Sequence, residues 1–240
     1  MTVPLAFLDS FSGAFDFIFS QRESFGGGTQ VGGLGQVWEL TLEHLKVSGV
    51  ALAVSLALAL PLGVLLGHRR TGELFAVAAG NAGRAIPELA LIALLVAFVG
   101  TGTINVAIAL AVLGIPPILT NTFVGVHQVD PQAVGAARGM GMSELQIALR
   151  VELPLAVPTI MSGVRTSAIN IIATATIAPL AGVLTLGDFI LARNVYGDEG
   201  VLAGAILVAL LALTVELTLA AVQWALTPRG LRLQRTEASA

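Results

Sequence analysis

Three charged side chains, Arg84, Glu88 and Glu216, stand inside the long apolar stretches of this 240-residue chain. They are the candidates there for moving a proton or holding an ion, and they form no recognisable acid–base or metal set. Cysteine is absent, which removes disulfides, thiolate metal sites and cysteine nucleophiles together. His44, His68 and His127 are scattered near the ends of apolar segments and read as interfacial residues rather than metal ligands. Lys46 is the only lysine and no G-x-x-x-x-G-K-[ST] occurs, so the chain cannot hold ATP by a P-loop. No catalytic residue, no metal and no cofactor of its own is expected. Pro87, Glu88, Asn170, Thr174 and Thr176 could line a polar route, and close helix packing explains the hydroxylated and small residues equally well.

The elements that must position these residues are membrane helices. The chain is 55% hydrophobic and only 11% charged, with a mean hydropathy of +0.88, against about 25% charged in an ordinary soluble domain. Its net charge of −3 gives no reason to expect a nucleic-acid partner. Spans of roughly 20 apolar residues fall at 47–67, 74–99, 104–126, 163–187 and 201–226. Pro87 should kink the second, and Arg84 and Glu88, four apart, would share its helical face. Residues 188–200 read as a loop. Residues 1–36 lack the basic start of a secretory signal. Within them, 5–19 reads as an interfacial helix or a poorly ordered tail, and 26–35 as a flexible glycine-rich connector.

The longest interruption is 127–161, and it is ordered. Asp130 before Pro131 is an N-cap followed by proline at the first helical position. Gly139 and Gly141 end that short helix, and Ser143 with Gln146 forms a capping box for a second. Pro154 and Pro158 should stop or kink the second helix. Two capped helices, 131–138 and 143–150, joined by a glycine turn between two spans, read as a docking surface rather than a linker. Placing it in the cytoplasm puts Arg69, Arg70, Arg138, Arg150, Arg165, Arg229, Arg232 and Arg235 inside or at the inner border. Only Arg22, Arg193 and Lys46 then lie outside, with Arg84 unassigned, which satisfies the positive-inside rule. The N-terminus is expected outside and the basic tail 229–240 in the cytoplasm, in a multi-pass protein of the cell (plasma or inner) membrane.

The run Gly135-Ala136-Ala137-Arg138-Gly139-Met140-Gly141, nine further residues, then Val151-Glu152-Leu153-Pro154, resembles the "EAA" loop of ABC importer permeases. That pattern is E-A-A, three residues, G, nine residues, I-x-L-P. The spacing matches throughout, and Gly135 stands where the family usually has Glu. The segments ELTLEHL (39–45), GRAIPELALIAL (83–94), PPILTNTFVGV (116–126) and LTPRGLR (226–232) are similar to permeases of bacterial osmoprotectant importers. After the proline of the second span that family commonly has a small polar residue where this chain has Glu88.

The resemblance implies an all-α integral membrane protein of type I ABC importer permease fold, with five main transmembrane helices and a cytoplasmic coupling-helix loop. It implies an importer of glycine betaine, carnitine or choline. Its partners would be cytoplasmic ABC ATPase subunits using ATP and Mg, an extracytoplasmic substrate-binding protein, a second permease chain and the lipid bilayer. The coupling residues would be Asp130, Ala136, Ala137, Arg138, Gly139, Gly141, Ser143, Glu144, Leu153 and Pro154. The alternatives are a permease for amino acids or other small solutes, and an ATP-independent secondary transporter.

Overall fold

A computed structural model describes residues 3–228 and 230, without the side chains of 3–9, 77, 79, 82 and 84. The basic tail expected at 229–240 lies outside the described residues except at position 230, as does the Arg84 side chain. In chain order the elements are α1 (Val3–Phe19), β1 (Gln21–Glu23), β2 (Gln30–Gly32), α2 (Gly33–His68), α3 (Glu73–Ala85), α4 (Glu88–Val99) and α5 (Thr103–His127). After these come α6 (Pro131–Gly139), α7 (Glu144–Ile147), a π-helical turn (Ala148–Glu152), α8 (Leu153–Thr174), a 3-10 segment (Ala175–Ala181), α9 (Gly187–Leu191) and α10 (Arg193–Leu226).

Among the described residues, four continuous helical stretches are long and apolar enough to cross a membrane: Gly33–His68, Thr103–His127, Glu144–Ala181 and Arg193–Leu226. The expected span at 74–99 is instead two helices of 13 and 12 residues. Proline lacks an N–H and forces its predecessor out of the helical region. Ile86 is accordingly extended, with φ −76° and ψ 119°, so Pro87 breaks the segment rather than kinking it. Arg84 and Glu88 therefore belong to different helices, and the shared helical face expected from their spacing is absent.

One of two compact units comprises the chain up to Ala51, Glu88–Leu110 and Ile171–Thr214. Its core joins Phe17, Ile18 and Val31 to Leu186, Phe189 and Ala203. The rings of Phe17, Phe189 and Tyr196 meet edge to face, with centroids 5.0 to 6.1 Å apart. β1 pairs antiparallel with β2, Arg22 opposite Val31. The Arg22 guanidinium lies 4.8 Å from the Phe17 ring centroid and pairs with Glu199 at 3.2 Å. Residues 26–35 are thus not a flexible connector: they form the hairpin turn, β2 and the start of α2. Gly187 closes against the Thr176 backbone, where a Cβ would come within 1.8 Å of the Thr176 carbonyl oxygen. Helix stops short of the expected 163–187 span end, at Ala181, and 188–200 is largely helical, broken by Gly197 at φ 68° and ψ −175°.

The second unit comprises Leu52–Pro87, Ala111–Asn170 and the chain from Val215. Its main core packs Ala59, Ile118, Leu119, Val126, Ala156, Ile160 and Val164. Arg165 of α8 donates through Nη1 to Gln223 at 2.7 Å and is salt-bridged to Glu216, both on α10. Gln223 in turn donates to the Pro158 carbonyl at 3.2 Å. Glu216, a lone charge in the sequence, is thus half of an ion pair.

Candidate functional site

The 127–161 stretch lies within the second unit and is built as its caps dictate. The Asp130 carboxylate accepts the Gln132 N–H at 2.8 Å, and Pro131 opens α6. Both bonds of the Ser143–Gln146 capping box are made, at 2.9 and 3.3 Å. Gly141 has φ +81°, a conformation that costs any L side chain about 1–2 kcal/mol. Gly139 is the last residue of α6 without positive φ, so the turn requires one of the two glycines and not both. The second helix does not stop at Pro154 or Pro158. It runs through the π turn into α8, with Pro158 inside that helix.

Beneath this surface Val129, Val134, Ala137 and Ile147 form a small core with Met142 and Val151. Ala137 is therefore a packing residue, buried to 2% exposure, while Ala136, Arg138, Gly139, Gly141, Ser143 and Glu144 face outward. Leu153 and Pro154 are half-buried at the start of α8. Met140 and Leu145 are 75% and 70% exposed, two large apolar side chains flanking the turn. An apolar groove of about 760 Å³ runs beside Leu145, lined also by Leu60, Val64 and Leu65 of α2 and by Leu149 and Leu153.

A chain of charges crosses this surface. Arg138 donates through Nε and Nη2 to both Glu144 oxygens, each at 2.9 Å, bridging the turn in a fork. Those hydrogen bonds hold the Glu144 carboxyl below its ordinary value and raise Arg138. His68 Nε2 lies 3.4 Å from Glu144, and its Nδ1 donates to Glu152 at 2.6 Å. Glu152 is 2% exposed, and a buried carboxylate persists only when paired. Arg70, in the left-handed region at φ 50°, donates to the Val129 carbonyl at 3.3 Å. His68, Arg70 and Glu152 thus tie the end of α2 to the docking stretch. Sequence reasoning did not single out His68 or Glu152 for this role, because they are 84 positions apart.

One histidine departs from the interfacial reading: His44 is fully buried, its Nε2 3.0 Å from the Ile172 carbonyl, whereas His68 ends α2 and pairs with Glu152. His127 stacks on Phe123 with centroids 5.2 Å apart.

Of the five path candidates, the structure brings two together: the Thr174 hydroxyl donates to Glu88 at 2.8 Å in the first unit. Thr176 turns back to the Ala173 carbonyl at 2.6 Å. Asn170 is exposed at the end of the α8 portion of the second unit, and Pro87 ends that unit's first segment.

Residues 59–229 match the family described as binding-protein-dependent transport system inner membrane component, and the chain belongs to that family. It is 39% identical over 196 residues to the carnitine transport permease protein OpuCB of Listeria monocytogenes, covering 81% of this chain and 90% of that one. It is 35% identical over 199 residues to the choline transport system permease protein OpuBB of Bacillus subtilis (strain 168), covering 82% and 92%. The fold matches an inward-facing crystal structure of the MetNI methionine ABC transporter, with a TM-score of 0.71 at 22% identity over 81% of this chain and 98% of that one.

Proposed function

We propose that this chain is the permease subunit of an ATP-driven importer that moves a quaternary ammonium osmoprotectant such as carnitine, choline or glycine betaine. The observation that carries the substrate class is the 35–39% identity, over four-fifths of the chain, to permeases named for choline and carnitine. An extracytoplasmic binding protein delivers the substrate, and a second permease chain completes the path. Cytoplasmic ABC ATPase subunits, which bind the ATP and Mg, dock on the surface around the turn at Gly141.

Differential contact with the ATPase in its nucleotide states drives the switch. The capped ends of α6 and α7 favour this, because a rigid surface moves as a body where an uncapped loop would deform. The exposed Met140 and Leu145 supply apolar area, and the Arg138–Glu144 bridge stiffens the turn between them. Gly135, exposed with no neighbour within 4 Å of an added Cβ, leaves shape to carry what a carboxylate supplies in the family pattern. The orientation follows the arginines: docking surface and C-terminus in the cytoplasm, N-terminus outside.

Uptake of labelled choline, carnitine, glycine betaine and methionine into vesicles holding the chain, its ATPase and its binding protein tests the reading. ATP-dependent uptake of the quaternary ammonium compounds is expected. Uptake of methionine alone would move the chain to amino-acid transport, and gradient-driven uptake without the ATPase would make it a secondary transporter.

A further inference from the structure

We infer that the Glu88 carboxylate, held by the Thr174 hydroxyl, is the point in the membrane that recognises the positive head group of the substrate. The inference rests on the quaternary ammonium reading above and adds the residue that would select for charge. Glu88 is the first residue of α4, directly after the break at Ile86 and Pro87. The 12 residues of α4 rise about 18 Å. Gly100 and Gly102, with φ of 88° and 125°, end the helix in a turn. With that turn at one membrane surface, Glu88 lies close to the middle of a hydrocarbon core of about 30 Å.

A carboxylate at that depth is expensive against lipid and is found where it faces protein or a watery path. Glu88 is nonetheless exposed on the surface of its unit, followed by Leu89, which is 55% exposed. Among the described side chains no arginine, lysine or histidine forms an ion pair with it. The partner that it does have is a neutral hydroxyl: Thr174, 3% exposed, donates to one carboxylate oxygen at 2.8 Å. That bond orients the carboxylate without supplying a countercharge.

A trimethylammonium group has the complementary needs. It cannot donate a hydrogen bond, so it is held by fixed negative charge and by apolar contact. A carboxylate at the start of the apolar helix α4, followed by the exposed Leu89, supplies the fixed charge and an apolar neighbour. Interrupted membrane helices near the midplane are also where transporters commonly place their substrate.

Choline and glycine betaine separate this role from a structural one. Choline carries a net positive charge, whereas the carboxylate of glycine betaine cancels the charge of its own ammonium. Glu88→Gln keeps an oxygen for the Thr174 hydroxyl and removes only the charge. In vesicles with the ATPase and binding protein, it should lower the ratio of choline to glycine betaine uptake about tenfold. Thr174→Val, which frees the carboxylate to swing, should shift the same ratio in the same direction by a smaller factor. A ratio unchanged in Glu88→Gln overturns the inference, including when both rates fall together, since loss of folded protein lowers both alike. Wild-type vesicles that import neither compound would instead sink the proposed function, and this inference with it.

Discussion

Gly141 holds a turn that only a residue tolerant of positive φ can make without strain. An added Cβ there meets nothing within 4 Å, so the penalty of substitution is conformational and not steric. Gly141→Val should cost about 1–2 kcal/mol in the turn and uncouple transport while the protein still inserts. Normal vesicle uptake by the variant would remove this turn from the coupling pathway. Arg138 is half of a bridge to Glu144, so Arg138→Glu places two carboxylates across the turn. ATPase copurification should fall with Arg138→Glu and recover when Glu144→Arg is added. If the double variant stays as weak as the single, Arg138 acts on the ATPase directly rather than on the turn. The caps at Asp130 and Ser143 were legible in the sequence because they join residues two or three apart. The bridge was half legible, since Arg138 and Glu144 were both named among the coupling residues without being paired.

At the scale of elements, the His68–Glu152 contact joins α2 to the π turn that leads into α8. His68→Ala leaves Glu152 buried without a partner, at a cost of about 3–5 kcal/mol. Adding Glu152→Gln should recover part of that loss, because an unpaired amide is cheaper to bury than an unpaired charge. Thermal unfolding of the detergent-solubilised single and double variants measures the difference, and a double variant worse than the single would refute the account. This contact was hidden because pairing across 84 positions leaves no periodic trace. Hydrophobic length marks the apolar parts of α2, α5 and α10, since a membrane span writes itself as composition, but it leaves out residues 33–46 of α2 and 193–200 of α10. It merged α3 with α4, because a proline break and a proline kink look alike until the residue before the proline is seen extended. It also ended the second docking helix too early, where the π turn and Pro158 are absorbed into one continuous helix.

Across the whole molecule, the first 36 residues were the least legible part. Their glycines suggest a tether, yet their phenylalanines find partners far along the chain. Phe17 sits edge-on to Phe189 and Tyr196, so Phe17→Ala should destabilise the protein by about 3–5 kcal/mol. A thermal midpoint in detergent indistinguishable from wild type would show that this packing contributes nothing. The same feature bears on how the protein is made. Arg22 and Tyr196 are 174 positions apart, and ribosomes add about 5–20 residues per second. Arg22 is therefore added roughly nine to thirty-five seconds before Tyr196, one of the residues that complete this core. For that interval the Phe17 ring has neither Phe189 nor Tyr196 to pack against. The turn of α10 that carries Tyr196 thus closes a core begun by α1 and the hairpin, 174 positions earlier along the chain.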